Sequence, residues 1–202
     1  MFQKGLGRCL LALGAGLLAF WLWAALDGLA FRAAFGRRLD HLLGHDRPRA
    51  LIAEARVSRR QAAGSGLIGR IEIPRVGLSE LVVEGTGGRS LRHGVGHVPR
   101  TAFPGERGNV ALAGHRDSYF ARLRDVAKGD LIRLETPDGV FAYRVFSIQV
   151  VDPSRADLLA QTGSPRLTLV TCYPFHWVGP APRRYVVVAR PDGGAKRSGA
   201  RA

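Results

Sequence analysis

The chain has 202 residues, a formal net charge of +14 at pH 7 and a composition that is 46% hydrophobic. That is enough apolar material for one domain of ordinary size and a membrane element besides. Its only two cysteines, Cys9 and Cys172, exclude a disulfide framework and a cysteine-rich metal site; the arginine excess points to membrane headgroups or envelope polyanions, and no motif for nucleic acid accompanies it.

Residues 1–8 carry Lys4 and Arg8, and residues 9–26 are uncharged and strongly apolar. A helix of that length spans roughly 27 Å, close to the hydrocarbon thickness of a bilayer. Trp21 and Trp23 stand near its far end, where interfacial aromatics belong. The run is long and no small-x-small cleavage site stands out, so an uncleaved transmembrane anchor is expected rather than a signal peptide. Charge does not choose its orientation, because the arginines of residues 27–60 outnumber the acids there and oppose a simple positive-inside reading.

Residues 27–66 read as a helical stalk, interrupted at Arg47-Pro48, resumed over 50–63 and ended by Gly64-Ser-Gly66. His41 and His45 have the i,i+4 spacing of two metal ligands, but with no third ligand nearby they read as a solvated face. From Leu67 the texture changes to short strands and turns. Residues 68–73 alternate and stop at Pro74, and 81–84 follow. The loop Gly85-Thr-Gly-Gly88 lacks the Lys-Ser/Thr of a phosphate loop and reads as turn chemistry. A helical turn is expected over 90–93, with His93 and His97 in structural positions.

Residues 109–114 form a strand that runs into Gly114-His115-Arg116-Asp117, and 119–126 a short helix. Strands over 130–135 and 140–151 pair through Thr136-Pro-Asp-Gly139, a strong turn signal. Residues 152–165 are a long loop with a short helix over 156–161. A strand over 167–173, a loop to Pro182, a last strand over 184–189 and a basic, disordered tail over 191–202 complete the chain. Seven or eight short strands with no βαβ rhythm indicate a mainly β fold, a closed or nearly closed barrel.

Leu167-Thr-Leu-Val-Thr-Cys172-Tyr173 alternates, is rich in β-branched residues, and ends where Tyr173-Pro174 breaks the ladder. A thiol at that position has rigid backbone behind it and open space ahead. His115 also ends a strand before a loop. An imidazole near a thiol generates the thiolate and later protonates a leaving amine. Arg184 opens the strand after the Cys172 loop; in an antiparallel pair its start lies near the sulfur, where a guanidinium holds a carbonyl or a developing oxyanion. Arg183 is the rival, and neighbours on a strand cannot both face the sulfur.

With Leu112-Ala-Gly-His115-Arg-Asp117, Leu167-Thr-Leu-Val-Thr-Cys172 and Arg184 behind an N-terminal apolar run, the chain resembles a sortase, a membrane-anchored cysteine transpeptidase, over residues 67–190. Tyr173-Pro174-Phe175 and Gly179-Pro-Ala-Pro182 resemble the sortases found singly in Gram-negative bacteria. The resemblance implies an eight-stranded β-barrel outside the cytoplasmic membrane, periplasmic in a Gram-negative cell. It implies that Cys172 attacks the Thr–Gly bond of a signal similar to Leu-Pro-x-Thr-Gly, forming a thioacyl enzyme that an amine resolves. His115 is then acid and base, and Arg184, favoured over Arg183 because its spacing matches the family, positions the carbonyl oxygen.

The loops 152–165 and 173–182 are expected to wall the substrate groove, with Val170, Thr171, Tyr173, Phe175 and Trp177 as substrate-binding residues. Some sortases hold calcium with acidic loop residues; here Glu106, Asp152 and Asp157 are too sparse, so neither metal nor cofactor is expected. The expected partners are a protein with a C-terminal sorting signal, an amine acceptor and the membrane. Two other readings are a membrane-bound cysteine endopeptidase that resolves the thioester with water, and an inactive barrel that binds envelope components. The joint presence of Cys172, His115 and Arg184 speaks against the second.

Overall fold

The computed structural model describes residues 2–43 and 66–192. The expected stalk break at Arg47-Pro48, the second stalk helix, His45 and the basic tail beyond residue 192 lie outside the described residues, as do the side chains of Cys9 and His41. The N-terminal helix and the β domain are separate units.

Helix α1 (Phe2–Leu43) is continuous for 42 residues and runs past residue 26 into the segment expected as a helical stalk. Its large side chains from Leu11 through Phe20, Trp21 and Trp23 to Leu29 are exposed. Among the described residues no helix is long and apolar enough to cross a membrane. Because described side chains begin at Leu11, the full apolar run from Cys9 is a property of the sequence.

The β domain is built from β1 (Leu67–Ile73), β2 (Leu78–Glu84), α2 (Gly88–His93), β3 (Val95–His97), β4 (Asn109–Ala113), β5 (Leu131–Thr136), β6 (Gly139–Val151), β7 (Arg166–Tyr173) and β8 (Arg183–Pro191). They close in the order β1-β2-β3-β4-β7-β8-β6-β5. β2–β3 and β4–β7 are parallel, and the other pairs antiparallel. Closure removes sheet edges and leaves one interior for the alternating apolar residues.

Ile71, Ile73, Leu112, Ile132, Leu134, Leu167 and Leu169 fill that interior with Phe120 and Leu123. Each such side chain, fully buried, contributes about 1.5–3 kcal/mol of transfer free energy. The β5–β6 turn forms where Thr136-Pro-Asp-Gly139 predicts it. The Thr136 hydroxyl accepts from the Asp138 N–H at 3.2 Å, and Gly139 takes a φ of 130°.

Three elements differ from the sequence expectation. β3 was not foreseen, because three residues carry no periodic signal; tertiary hydrogen bonds hold it. Buried His97 meets the Glu84 carboxylate at 2.8 Å through Nδ1 and the Ala102 carbonyl at 3.0 Å through Nε2. β2 begins at Leu78, earlier than the apolar pattern suggests, because it pairs with β1 as far as Ile73↔Leu78. The helix expected over 119–126 is a 3-10 segment, Ala121–Asp125, pulled in by Phe120 and Leu123, both fully buried.

Candidate active site

β4, β7 and β8 lie side by side, and their registers decide which side chains meet. Cys172 is paired directly with Arg184 across β7 and β8, and Tyr173 with Arg183. Opposed residues share a face of the sheet, so Arg184 shares the thiol's face and Arg183 does not. On the other flank β4 runs parallel to β7 with Ala113 level with Val170. His115 stands two residues beyond this last pair, as Cys172 does on β7.

The backbone there is pinned from both sides. The Gly114 N–H donates to the Val170 carbonyl at 3.2 Å, and the His115 carbonyl accepts from the Phe120 N–H at 3.0 Å. The Thr171 hydroxyl donates to the Gly114 carbonyl at 2.7 Å. Gly114 is required by close approach: a Cβ there would stand 2.8 Å from the Phe120 ring. His115 is exposed, and Cys172 is a half-buried free thiol. The thiol and the guanidinium are thus paired across β7 and β8, and His115 follows the end of the adjoining strand β4.

The expected groove residues divide between faces. Val170 shares the face of Cys172, whereas Thr171 and Tyr173 alternate to the other. Thr171 is buried and holds Gly114. Tyr173 stacks on Tyr185 at 6.2 Å, and Phe175 meets Tyr185 edge-on at 5.1 Å; Phe175 and Tyr185 also pack against the core. Burial, with Tyr173 beside it, raises the Tyr185 phenol above its ordinary pKa. Trp177 is exposed in the β7–β8 connection, its indole N–H donating to the Pro180 carbonyl at 3.0 Å.

Arg116 is a residue the sequence reading passed over. It follows His115, and its Nη2 donates to the carbonyls of Trp177 at 2.6 Å and Gly179 at 3.1 Å. It therefore ties the segment carrying the imidazole to the connection that follows the thiol. Its partners are backbone atoms, which no residue pattern names. Arg184 Nη1 reaches the carbonyls of Arg183 at 3.1 Å and Ala181 at 3.3 Å in the same connection.

The three acids weighed for a metal already have partners. Glu106 accepts from the Phe103 N–H at 2.8 Å, and Asp157 pairs with Arg155 at 2.8 Å. Asp152 accepts from the Ser154 N–H at 2.9 Å. That bond first, and the Arg183 charge last, hold its carboxyl below the usual range. Among the described residues no group of three or more His, Cys, Asp or Glu side chains is placed to hold a metal ion.

Comparison with known proteins agrees with this arrangement. The sortase domain model matches residues 71–192. The chain is 38% identical over 123 residues to sortase D of Bacillus subtilis, covering 60% of this chain and 62% of that protein. It is 32% identical over 142 residues to sortase A of Bacillus anthracis, covering 68% of this chain and 63% of that one. The solved structure of a Clostridium perfringens sortase D5 transpeptidase superposes with a TM-score of 0.67 at 27% identity, over 78% of this chain and 95% of that one. The chain spans a little under two thirds of the length of these two curated relatives. With a family match across more than half its length, the chain belongs to the sortase family, whose members are cysteine transpeptidases. Its barrel is the sortase-type eight-stranded barrel.

Proposed function

We propose that this chain is a transpeptidase that cleaves a Leu-Pro-x-Thr-Gly-like sorting signal between Thr and Gly and transfers the acyl part to an amine. The observation that carries this reading is the direct pairing of Cys172 with Arg184 on the flank of β7 opposite to β4, which leads to His115. The Cys172 thiolate adds to the threonine carbonyl carbon while Arg184 donates to the oxygen that takes up the negative charge. The C–N bond then breaks, the glycine amine leaves with a proton from His115, and a thioester remains on Cys172. The incoming amine gives a proton back to His115 as it attacks, the C–S bond breaks, and the thiolate is regenerated. The residues balance protons over the cycle without a cofactor.

The groove for the signal lies on the face of Cys172 and Val170, between the 152–165 and 173–182 connections. The roles of Thr171, Tyr173 and Phe175 are then to support the floor, and Trp177 is placed to meet the peptide. The same reading puts residues 9–26 of α1 in the cytoplasmic membrane and the barrel outside it. Support comes from the uncharged run of residues 9–26 and from apolar side chains exposed along the helix.

The test is incubation of the full-length chain in detergent with a Leu-Pro-x-Thr-Gly peptide and an excess of small amine, read by mass spectrometry. An amine-capped Leu-Pro-x-Thr product that Cys172→Ala does not form is expected. Free acid alone would replace the transferase by a hydrolase. No product with this peptide would refute the substrate assignment.

A further inference from the structure

The β6–β7 connection, residues 152–165, is largely exposed, and its one regular turn, Ala156–Leu159, buries no residue. Apolar packing therefore does little to hold it, yet a groove wall has to keep its place relative to the thiol. We propose that Asn109 and Gln161 form the latch that holds it, making them positioning residues for the peptide; this rests on the reaction proposed above.

Asn109 opens β4 and is fully buried. Its Nδ2 donates to the carbonyls of Leu158 at 3.1 Å and Ala160 at 3.3 Å, both in the connection. Its Oδ1 accepts from the Thr168 hydroxyl at 2.8 Å. Only one orientation of the amide satisfies all three, since the reverse would set its oxygen against two carbonyls. Thr168 alternates on β7 onto the same face as Val170 and Cys172. Asn109 thus references the connection to the face that carries the thiol.

Gln161 closes the latch from the other side. Its Oε1 accepts from the Asn109 N–H at 3.2 Å, and its Nε2 donates to the Arg100 carbonyl at 3.1 Å. Its seat requires glycine at position 108, where a Cβ would stand 2.2 Å from Gln161 Oε1 and where φ is +122°. Arg166 adds a donor to the Leu158 carbonyl at 3.2 Å. Between them, Asn109 and Gln161 bond the connection to β4, to β7 and to the β3–β4 turn, and neither reaches the reacting atoms.

A wall that loosens weakens ground state and transition state alike, which raises KM and leaves kcat. Gln161→Ala replaces an exposed side chain, so the barrel stays folded; losing even one net hydrogen bond is expected to raise KM for the peptide about fivefold, with kcat within about twofold. Asn109→Asp keeps size and the Thr168 bond but turns an oxygen toward the carbonyls of Leu158 and Ala160; it is expected to raise KM at least as far, whereas a residue that merely fills space would tolerate it. Trypsin acting on the folded full-length protein is the readout independent of turnover. The fragment ending at Arg155 is expected to appear about fivefold faster in both variants.

With an active wild type, an unchanged KM in the variants, or a fall in kcat alone, overturns the latch, as does an unchanged rate of cutting after Arg155. A wild type that does not process the peptide overturns the function reading and the latch's role in it; faster cutting in the variants would then mark these residues as loop anchors only.

Discussion

Arg184 offers the sharpest test of the site, because its neighbour is a matched control. Arg184 is paired with Cys172, and Arg183 with Tyr173 on the other face. Removing one preorganised donor from a developing oxyanion costs about 10²–10³ in kcat, or about 2.7–4 kcal/mol. Arg184→Ala is expected in that range. Arg183 is exposed and acts on Asp152 across solvent-screened space, so Arg183→Ala is expected to leave kcat within about twofold, as surface charge changes do. Neither change should alter thermal unfolding much, since among the described residues the guanidinium of Arg184 bonds to the carbonyls of Arg183 and Ala181, close to it in the chain. Arg184→Lys keeps the charge and loses the planar fork, so it should recover part of the rate. The assay is the initial rate of amine-capped product with peptide saturating. A larger loss from Arg183→Ala, or an Arg184→Ala enzyme within about threefold of wild type, would refute the register argument.

Three further outcomes are expected. Cys172→Ala should form no thioacyl species by intact mass while its thermal melt stays near that of wild type, because the thiol is only half-buried; an acyl adduct on that variant would move the nucleophile elsewhere. Asp130 is held below the usual carboxylate range, first by its hydrogen bonding to Arg75, whose Nε and Nη2 donate to its two oxygens at 2.5 and 2.7 Å. Since its folded pKa lies below the unfolded one, its contribution is complete above about pH 5 and is lost as the pH falls below about 4. The stability gap between wild type and Asp130→Asn in denaturant titrations should therefore close in that window, and a gap that persists at lower pH would contradict it. A calcium chelator should leave the transfer rate unchanged, given that Glu106, Asp152 and Asp157 are already partnered; a clear loss would reveal a cation held by other groups.

Much of the barrel was legible because its strands alternate and its turns use residues with strong local preferences. Thr136-Pro-Asp-Gly139 is read from neighbours in sequence and the structure forms the turn from the same neighbours, whereas the 167–173 strand, read from its alternation, is held by β4 and β8. β3 was not legible: its three residues owe their place to the side chain of His97 reaching Glu84 and Ala102. The 3-10 form of Ala121–Asp125 reflects tertiary pull on Phe120 and Leu123, which local propensity does not encode. At the site, the alternation of strand faces separated Arg184 from Arg183 in principle, but only the register gives each its partner. The roles of Arg116, Asn109 and Gln161 lay out of reach for a common reason. Apart from the Thr168 hydroxyl on Asn109, their partners are main-chain carbonyls and amides, present at every position and therefore invisible as a pattern.

The parallel pairing of β4 with β7 has a consequence for how the protein comes to life. His115 and Cys172 arrive on strands separated by the whole β5–β6 hairpin, and loop-closure entropy must be overcome before they meet. The hairpin can form from adjacent residues, whereas the β4–β7 seam needs a contact distant in sequence. An incompletely closed chain therefore carries a thiol without its imidazole, and a chain cut before β8 lacks the arginine too. If the proposed reaction holds, closure of the barrel is expected to precede activity, because it pairs the thiol with its guanidinium.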